Sequence, residues 1–253
     1  GLSGQGGLRP ENRFAGSLFS LESDTEYEIE LTLTDPDGGS SVQTVTASTA
    51  IPLAESATAR NYYAVSGNGG GSGTQADPFQ GLQAACDAAA PGAVIHVSAG
   101  IYAPFELAAS GEPDHPIVLR GPVDPHSETD ESQWAVVDGA DTVRGVLTLG
   151  TSDRRTSYLI IEQMVIQNGR WGIDAQNTHH VAVRNNIIRD VGFGYYNRRE
   201  RGWESRQHIS DNTLIGRTPW PGSGIPSERG IDLRGSGNVV CFNRVRNFGD
   251  GVS

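Results

Sequence analysis

The sequence contains no lysine: all nineteen of its basic residues are arginine. A lysine Schiff base, a lysine general base and the lysine of a phosphate-binding loop are therefore excluded. Cysteine is scarce, with only Cys86 and Cys241. Two such distant residues build neither a disulfide framework nor a four-cysteine zinc site, and a free cysteine behaves as a small buried hydrophobe. No apolar run reaches about 18 residues, so no membrane-spanning helix is expected. Positive charge is scarce at first and then accumulates. Residues 1–153 carry 5 Arg against 21 acidic residues, residues 154–206 carry 9 against 5, and residues 207–253 carry 5 against 4, for a net charge of -11. The acidic front argues against general nucleic-acid binding, and the later arginine excess suits an acidic ligand.

Turn formers are plentiful. The 33 Gly and 13 Pro among 253 residues point to many turns rather than a helical bundle. Residues 27–34 alternate apolar and polar with period two, Asp35-Pro36-Asp37-Gly38-Gly39 is a turn signal, and residues 42–47 alternate again, which predicts a hairpin. Two carboxylates in that turn are too few for calcium. The glycines of residues 67–73 lack the Gly-Lys-Ser/Thr continuation of a nucleotide loop. Residues 82–90 read as a short helix ended by Pro91-Gly92.

An internal repeat follows. Gln163, Asn186, Asn212 and Asn243 anchor similar segments at spacings of 23, 26 and 31 residues. Periods of this size mean stacked units that share one core. An amide side chain at a fixed turn can bond to the coils above and below. A second repeat is Gly172-Ile173-Asp174, Gly230-Ile231-Asp232 and Gly251-Val252-Ser253. Strand alternation turns Ile173, Ile231 and Val252 inward and Asp174, Asp232 and Ser253 outward on one sheet.

Two resemblances rest on these residues. Leu21 followed by Thr25, Glu26 and Tyr27 looks like a tyrosine corner. With residues 14–19 as the preceding strand, residues 1–50 resemble the last three strands of a fibronectin type III-like domain. A partial β-sandwich is thus expected there, residues 51–60 read as a linker, and the chain is expected to start inside a longer protein. The second resemblance spans residues 62–102 and continues through residues 115–121 and 135–139. It is to the opening of bacterial right-handed parallel β-helices of the pectate-lyase-like superfamily. It implies an all-β fold: a right-handed parallel β-helix (a solenoid) over residues 61–253, with a short N-terminal capping helix. Its last coil is expected to be covered by the rest of a longer polypeptide or by a partner. The resemblance further implies a secreted or cell-surface protein directed at carbohydrate, with the glycan on the side bearing Asp174 and Asp232.

The longest insertions, residues 193–206 and 216–229, are expected to rise beside that sheet. Their aromatics suit sugar faces, and arginine forks suit carboxylates. Arg170, Trp171, Tyr195, Arg198, Trp203, Trp220 and Arg234 are the candidate binding residues. β-Elimination from a uronate needs a cation to neutralise the carboxylate and a base to take the adjacent C–H proton. Related families use lysine, arginine, histidine or tyrosine as base. Without lysine, the candidates are Arg199, Arg201, Arg206, Tyr195 and Tyr196. Hydrolysis would instead need two carboxylates. Asp174 and Asp232, two coils apart, would stand roughly 9.6 Å from each other, beyond a retaining pair and at the limit of an inverting one. The plainer alternative pairs these aspartates with Arg170 or Arg234, pairs the loop arginines with Glu200 and Glu204, and packs the aromatics onto the helix. His179-His180 is expected at a turn and His208 on another sheet, so no metal site is assigned. No cofactor is required, with Ca²⁺ as an optional ion. The resulting expectation is a protein that binds an acidic, uronate-containing polysaccharide and cleaves it by β-elimination, ahead of hydrolysis or C5-epimerisation. Its partners would include no nucleic acid, and no membrane span is expected. The alternative is a non-catalytic glycan-binding, adhesive or structural module.

Overall fold

The computed structural model describes residues 18, 20–22, 24–49, 52–151, 153–197, 204–217 and 227–253. The chain forms two units, Gly1–Pro52 and Leu53–Ser253. In the first, β1 (Glu26–Thr34) and β2 (Ser40–Ser48) make the expected antiparallel hairpin. The Asp35 carboxylate accepts the Asp37 N–H and so serves the turn. The Tyr27 hydroxyl accepts the Glu22 N–H at 2.8 Å, the bond of a tyrosine corner, a local feature of β-sandwiches of several kinds. The strand expected at residues 14–19 lies, apart from Leu18, outside the described residues.

The second unit is a parallel β-helix. It opens with β3 (Arg60–Val65) and β4 (Phe79–Gln80), followed by α1 (Leu82–Asp87). The helix is shorter than expected, but it buries Leu82, Ala85 and Cys86 against the first coils as a cap should. Six coils follow. The first has β5 (Ala93–Val97), β6 (Gly100–Tyr102) and β7 (Phe105–Leu107). The second has β8 (Ile117–Arg120), β9 (Ala135–Asp138) and β10 (Gly145–Leu149). In the third and fourth, β11 (Thr156–Glu162) and β13 (Thr178–Arg184) each precede one long strand, β12 (Val165–Asp174) and β14 (Ile187–Tyr196). Each long strand bends through two faces at a left-handed residue, Asn168 or Asp190. The fifth coil has β15 (Gln207–Ser210), β16 (Thr213–Gly216) and β17 (Arg229–Asp232). The sixth has β18 (Val239–Cys241), β19 (Arg244–Arg246) and β20 (Asp250–Val252).

Parallel pairing makes three faces. The first runs β3, β5, β8, β11, β13, β15, β18. The second runs β6, β9, the first half of β12, the first half of β14, β16 and β19. The third runs β7, β10, the second halves of β12 and β14, β17 and β20. Inward side chains stack in register, as in Ile95, Leu119, Ile161, Val183 and Ile209 on the first face. No coil could bury such a row alone; stacking removes it from water. Leu53 and Ala59 pack on the outward Val94, Val118, Ile160 and Ala182. Residues 53–59, read from sequence as linker, therefore lie along the first face.

The amide ladder exists, shifted at its first member. Asn186 Oδ1 accepts the Met164 N–H, Asn212 Oδ1 accepts the Asn186 N–H, and Asn243 Oδ1 accepts the Asn212 N–H, each at 3.0 Å. Gln163 is not in it. It takes the left-handed corner just before, with Asn185, Asp211 and Phe242 in the later coils.

Candidate functional site

The third face turns two columns outward. One is Glu106, Thr148, Asp174, Tyr196 and Asp232, in register from β7 to β17. Beside it runs Gly145, Trp171, Phe193, Arg229 and Asp250. Asp174 and Asp232 are therefore two coils apart, as the repeat implied, with Tyr196 on the rung between them.

Glycine makes this spacing attainable. A Cβ on Gly172 would meet the Gly194 carbonyl oxygen of the next coil at 2.8 Å, so the backbones approach too closely for any side chain. Gly194 and Gly230 face the same obstacle. Gly194-Tyr195-Tyr196 is thus a copy of Gly172-Ile173-Asp174 that the sequence reading assigned to an insertion. This corrects Tyr195. It stacks inward with Phe105, Leu147, Ile173 and Ile231. Its hydroxyl donates to Gln207 Oε1 at 2.6 Å, and burial pushes its pKa up. A tyrosine inside the solenoid neither touches a sugar nor serves as its base.

Tyr196 faces outward, in a cluster with Trp171 and Phe193. Its ring stacks on Trp171 with centroids 4.5 Å apart and planes at 15°. Phe193 meets Tyr196 edge-on at 5.0 Å. The exposed Arg144 guanidinium lies 3.9 Å from the Trp171 ring centroid, within cation–π range. Asp174 Oδ2 accepts from Gln176 Nε2 at 3.0 Å. Among the described residues, Asp174 Oδ1 and Trp171 Nε1 are buried without a hydrogen-bond partner. Burial pushes the Asp174 pKa up, opposed by the Gln176 bond and the charge of Arg144.

Asp232 is buried and accepts a 2.6 Å bond from Arg229 Nη1, while Arg229 Nε lies 3.6 Å from Asp250. The Asp232 pairing partner is Arg229, not Arg170 or Arg234. Arg170 is exposed and stands 3.7 Å from Glu228. Arg234 is also exposed, and its carbonyl accepts from Ser205 Oγ. Arg206 precedes β15 and pairs with Glu204 at 2.7 Å. It groups with Tyr158 and His180, which share its left-handed conformation in successive coils, and Tyr158 stacks on His180 at 4.6 Å. His179 and His180 lie within β13 rather than at a turn. His208 shares their face on β15, not a different sheet, and lies 3.9 Å from Cys241 Sγ. Among the described residues no three His, Cys, Asp or Glu side chains gather to hold a metal. Arg198, Arg199, Arg201, Trp203 and Trp220 lie outside the described residues.

Sequence reasoning missed Arg144, Gln176 and Arg229, and it placed Phe193 in an insertion without a role of its own. Arg144 immediately precedes a third-face strand in the second coil, where no insertion drew attention. Gln176 stands two residues after Asp174, a local spacing that could have marked it.

No family model and no curated protein sequence matches the chain. Two solved structures are similar. An alginate lyase from Paenibacillus sp. str. FPU-7 has 20% identity and a TM-score of 0.41, covering 64% of this chain and 61% of its own. Pectate lyase Pel9A has 16% identity and a TM-score of 0.44, covering 74% and 62%. The chain thus spans about 61% to 62% of the length of these structures. Likeness at such identity concerns the fold and not the reaction.

Proposed function

We propose that the third face binds an acidic, uronate-containing polysaccharide and that the protein cleaves it by β-elimination, outside the cell or at its surface. The observation that carries this reading is the stack of Arg144, Trp171 and Tyr196, with Asp174 in the field of the same arginine. Arg144 is the exposed cation for the uronate carboxylate. Pairing the carboxylate acidifies the neighbouring C–H. Asp174 takes that proton, since a carboxyl whose pKa is raised is a better base near neutral pH. The electron pair forms the C=C bond, the glycosidic C–O bond breaks, and the Tyr196 hydroxyl, one rung along, protonates the leaving oxygen. Arg170 extends the cationic rim.

One observation favours a second reading. Asp174 and Tyr196 are only 5% and 2% exposed. A rim of arginines above buried polar groups also suits a non-catalytic glycan-binding module. Electrophoresis through gels containing alginate or polygalacturonate tests the binding shared by both readings. Wild type is expected to be retarded, and Arg144→Ala to run as it does without polymer. Unretarded wild type in every acidic polymer would overturn the proposal.

A further inference from the structure

Buried polar atoms are almost always hydrogen-bonded, and leaving one unpaired is costly. Among the described residues, four buried side-chain atoms lack a partner. Two of them sit three residues apart on the outward side of β12: Trp171 Nε1, which can only donate, and Asp174 Oδ1, which accepts when ionised. The intervening Gly172 and Ile173 are turned inward, toward Ile188 and into the main core. Trp171 and Asp174 therefore leave the strand on the same side. Arg144 joins them, stacked on the indole and acting on the carboxylate. On the preceding coil Gly145 lies opposite Trp171, and a Cβ there would come within 2.9 Å of Thr148 Oγ1 and 3.1 Å of the Asp174 Cβ.

Resting on the reading of the third face as a uronate site, we infer that this unmatched pair recognises a free hydroxyl of the bound sugar. The hydroxyl accepts from Trp171 Nε1–H and donates to Asp174 Oδ1, while the carboxylate of the same sugar lies on Arg144. A hydroxyl suits both atoms because it donates and accepts at once. An O-acylated sugar lacks the donor and leaves the carboxylate oxygen unpaired. Sites built on buried hydrogen-bonding groups discriminate strongly against ligands that lack the partner. The ligand class is therefore a uronate polymer with unsubstituted secondary hydroxyls, and O-acetylation is what excludes it.

Titration calorimetry with alginate and polygalacturonate, each before and after chemical O-acetylation, tests this. Wild type should bind an unmodified polymer at least about tenfold more tightly than its acetylated form. Trp171→Phe keeps a ring against Arg144 and Tyr196 but removes the N–H. It should bind unmodified polymer more weakly yet still prefer it, whereas Asp174→Ala, which removes the acceptor, should bind both forms with the same, weaker affinity. In wild type, the Trp171 indole ¹H–¹⁵N resonance, assigned by its loss in Trp171→Phe, should move when unmodified polymer is added. Equal affinity of wild type for both forms, or a still indole resonance, overturns the inference and leaves the proposed function standing. Discrimination that persists in Asp174→Ala means a steric effect of the acetyl group and also overturns it. No binding of either unmodified polymer removes the proposed function and this inference together.

Discussion

Asp174 gives the outward side of the third face a pH signature. Burial raises its pKa despite Gln176 and Arg144, so the folded protein holds this proton more tightly than the unfolded chain. The stability it contributes is complete below the ordinary carboxylate pKa of about 3.9 and is lost as pH rises through the raised folded value. Asp174→Asn keeps an acceptor for Gln176 and abolishes the charge. It should melt above wild type at about pH 8 and not above it at about pH 3, as thermal denaturation would show. Cleavage should need the ionised form, so activity should rise with pH through the same raised value and vanish in the variant. Tyr195→Phe separates structure from site. It leaves Gln207 Oε1 without its 2.6 Å donor and should cost about 1–2 kcal/mol in urea unfolding, with affinity for polymer unchanged. Residue identity alone could not distinguish Tyr195 from Tyr196, since both fit a sugar-binding loop. Their register decides, and it was legible in Gly194 once the close approach of successive backbones is taken into account.

At the scale of the element, the corner between the first and second faces does most to set the register. A left-handed residue turns the chain, and the amide that follows ties two coils together. Asn212 illustrates this. Its side chain donates to Val183 O and Ser210 O at 2.8 Å and accepts from Asn186 at 3.0 Å. Asn212→Ala should therefore cost about 2–4 kcal/mol, since several buried backbone groups lose their partners at once. Equal stability of variant and wild type by chemical denaturation would show that the ladder follows the stacking and does not hold it. The sequence displays this ladder almost correctly. Gln163 reads as its first member because glutamine carries the same amide, yet the corner position accepts Gln, Asn, Asp and Phe alike. The ladder position itself is what selects asparagine. Insertions misled for a related reason: residues 193–196 look like loop, because Gly and Tyr are common in loops, and they are strand.

At the scale of the molecule, parallel coils were legible because the apolar rows recur at near-constant period. The capping helix was legible in Leu82, Ala85 and Cys86. The strap of residues 53–59 was not, since Leu53 and Ala59 form no pattern of their own and gain meaning only from the apolar stripe they cover. Each coil leans on its neighbours, so protection should follow position. Amides of β11 to β14, flanked by coils on both sides, should exchange slowest by hydrogen exchange. The proposed function rests on the same architecture, because Arg144, Trp171, Asp174 and Tyr196 come from three coils and meet only when those coils stack. The most direct test is to incubate the protein with alginate, polygalacturonate, hyaluronan, chondroitin and ulvan, with and without Ca²⁺, and to follow the ultraviolet absorbance of new unsaturated chain ends. Absorbance that grows with one uronate polymer, and is lost in Arg144→Ala and Asp174→Asn, is the predicted result. A flat trace with every polymer, or saturated fragments by mass spectrometry, would contradict β-elimination at this face.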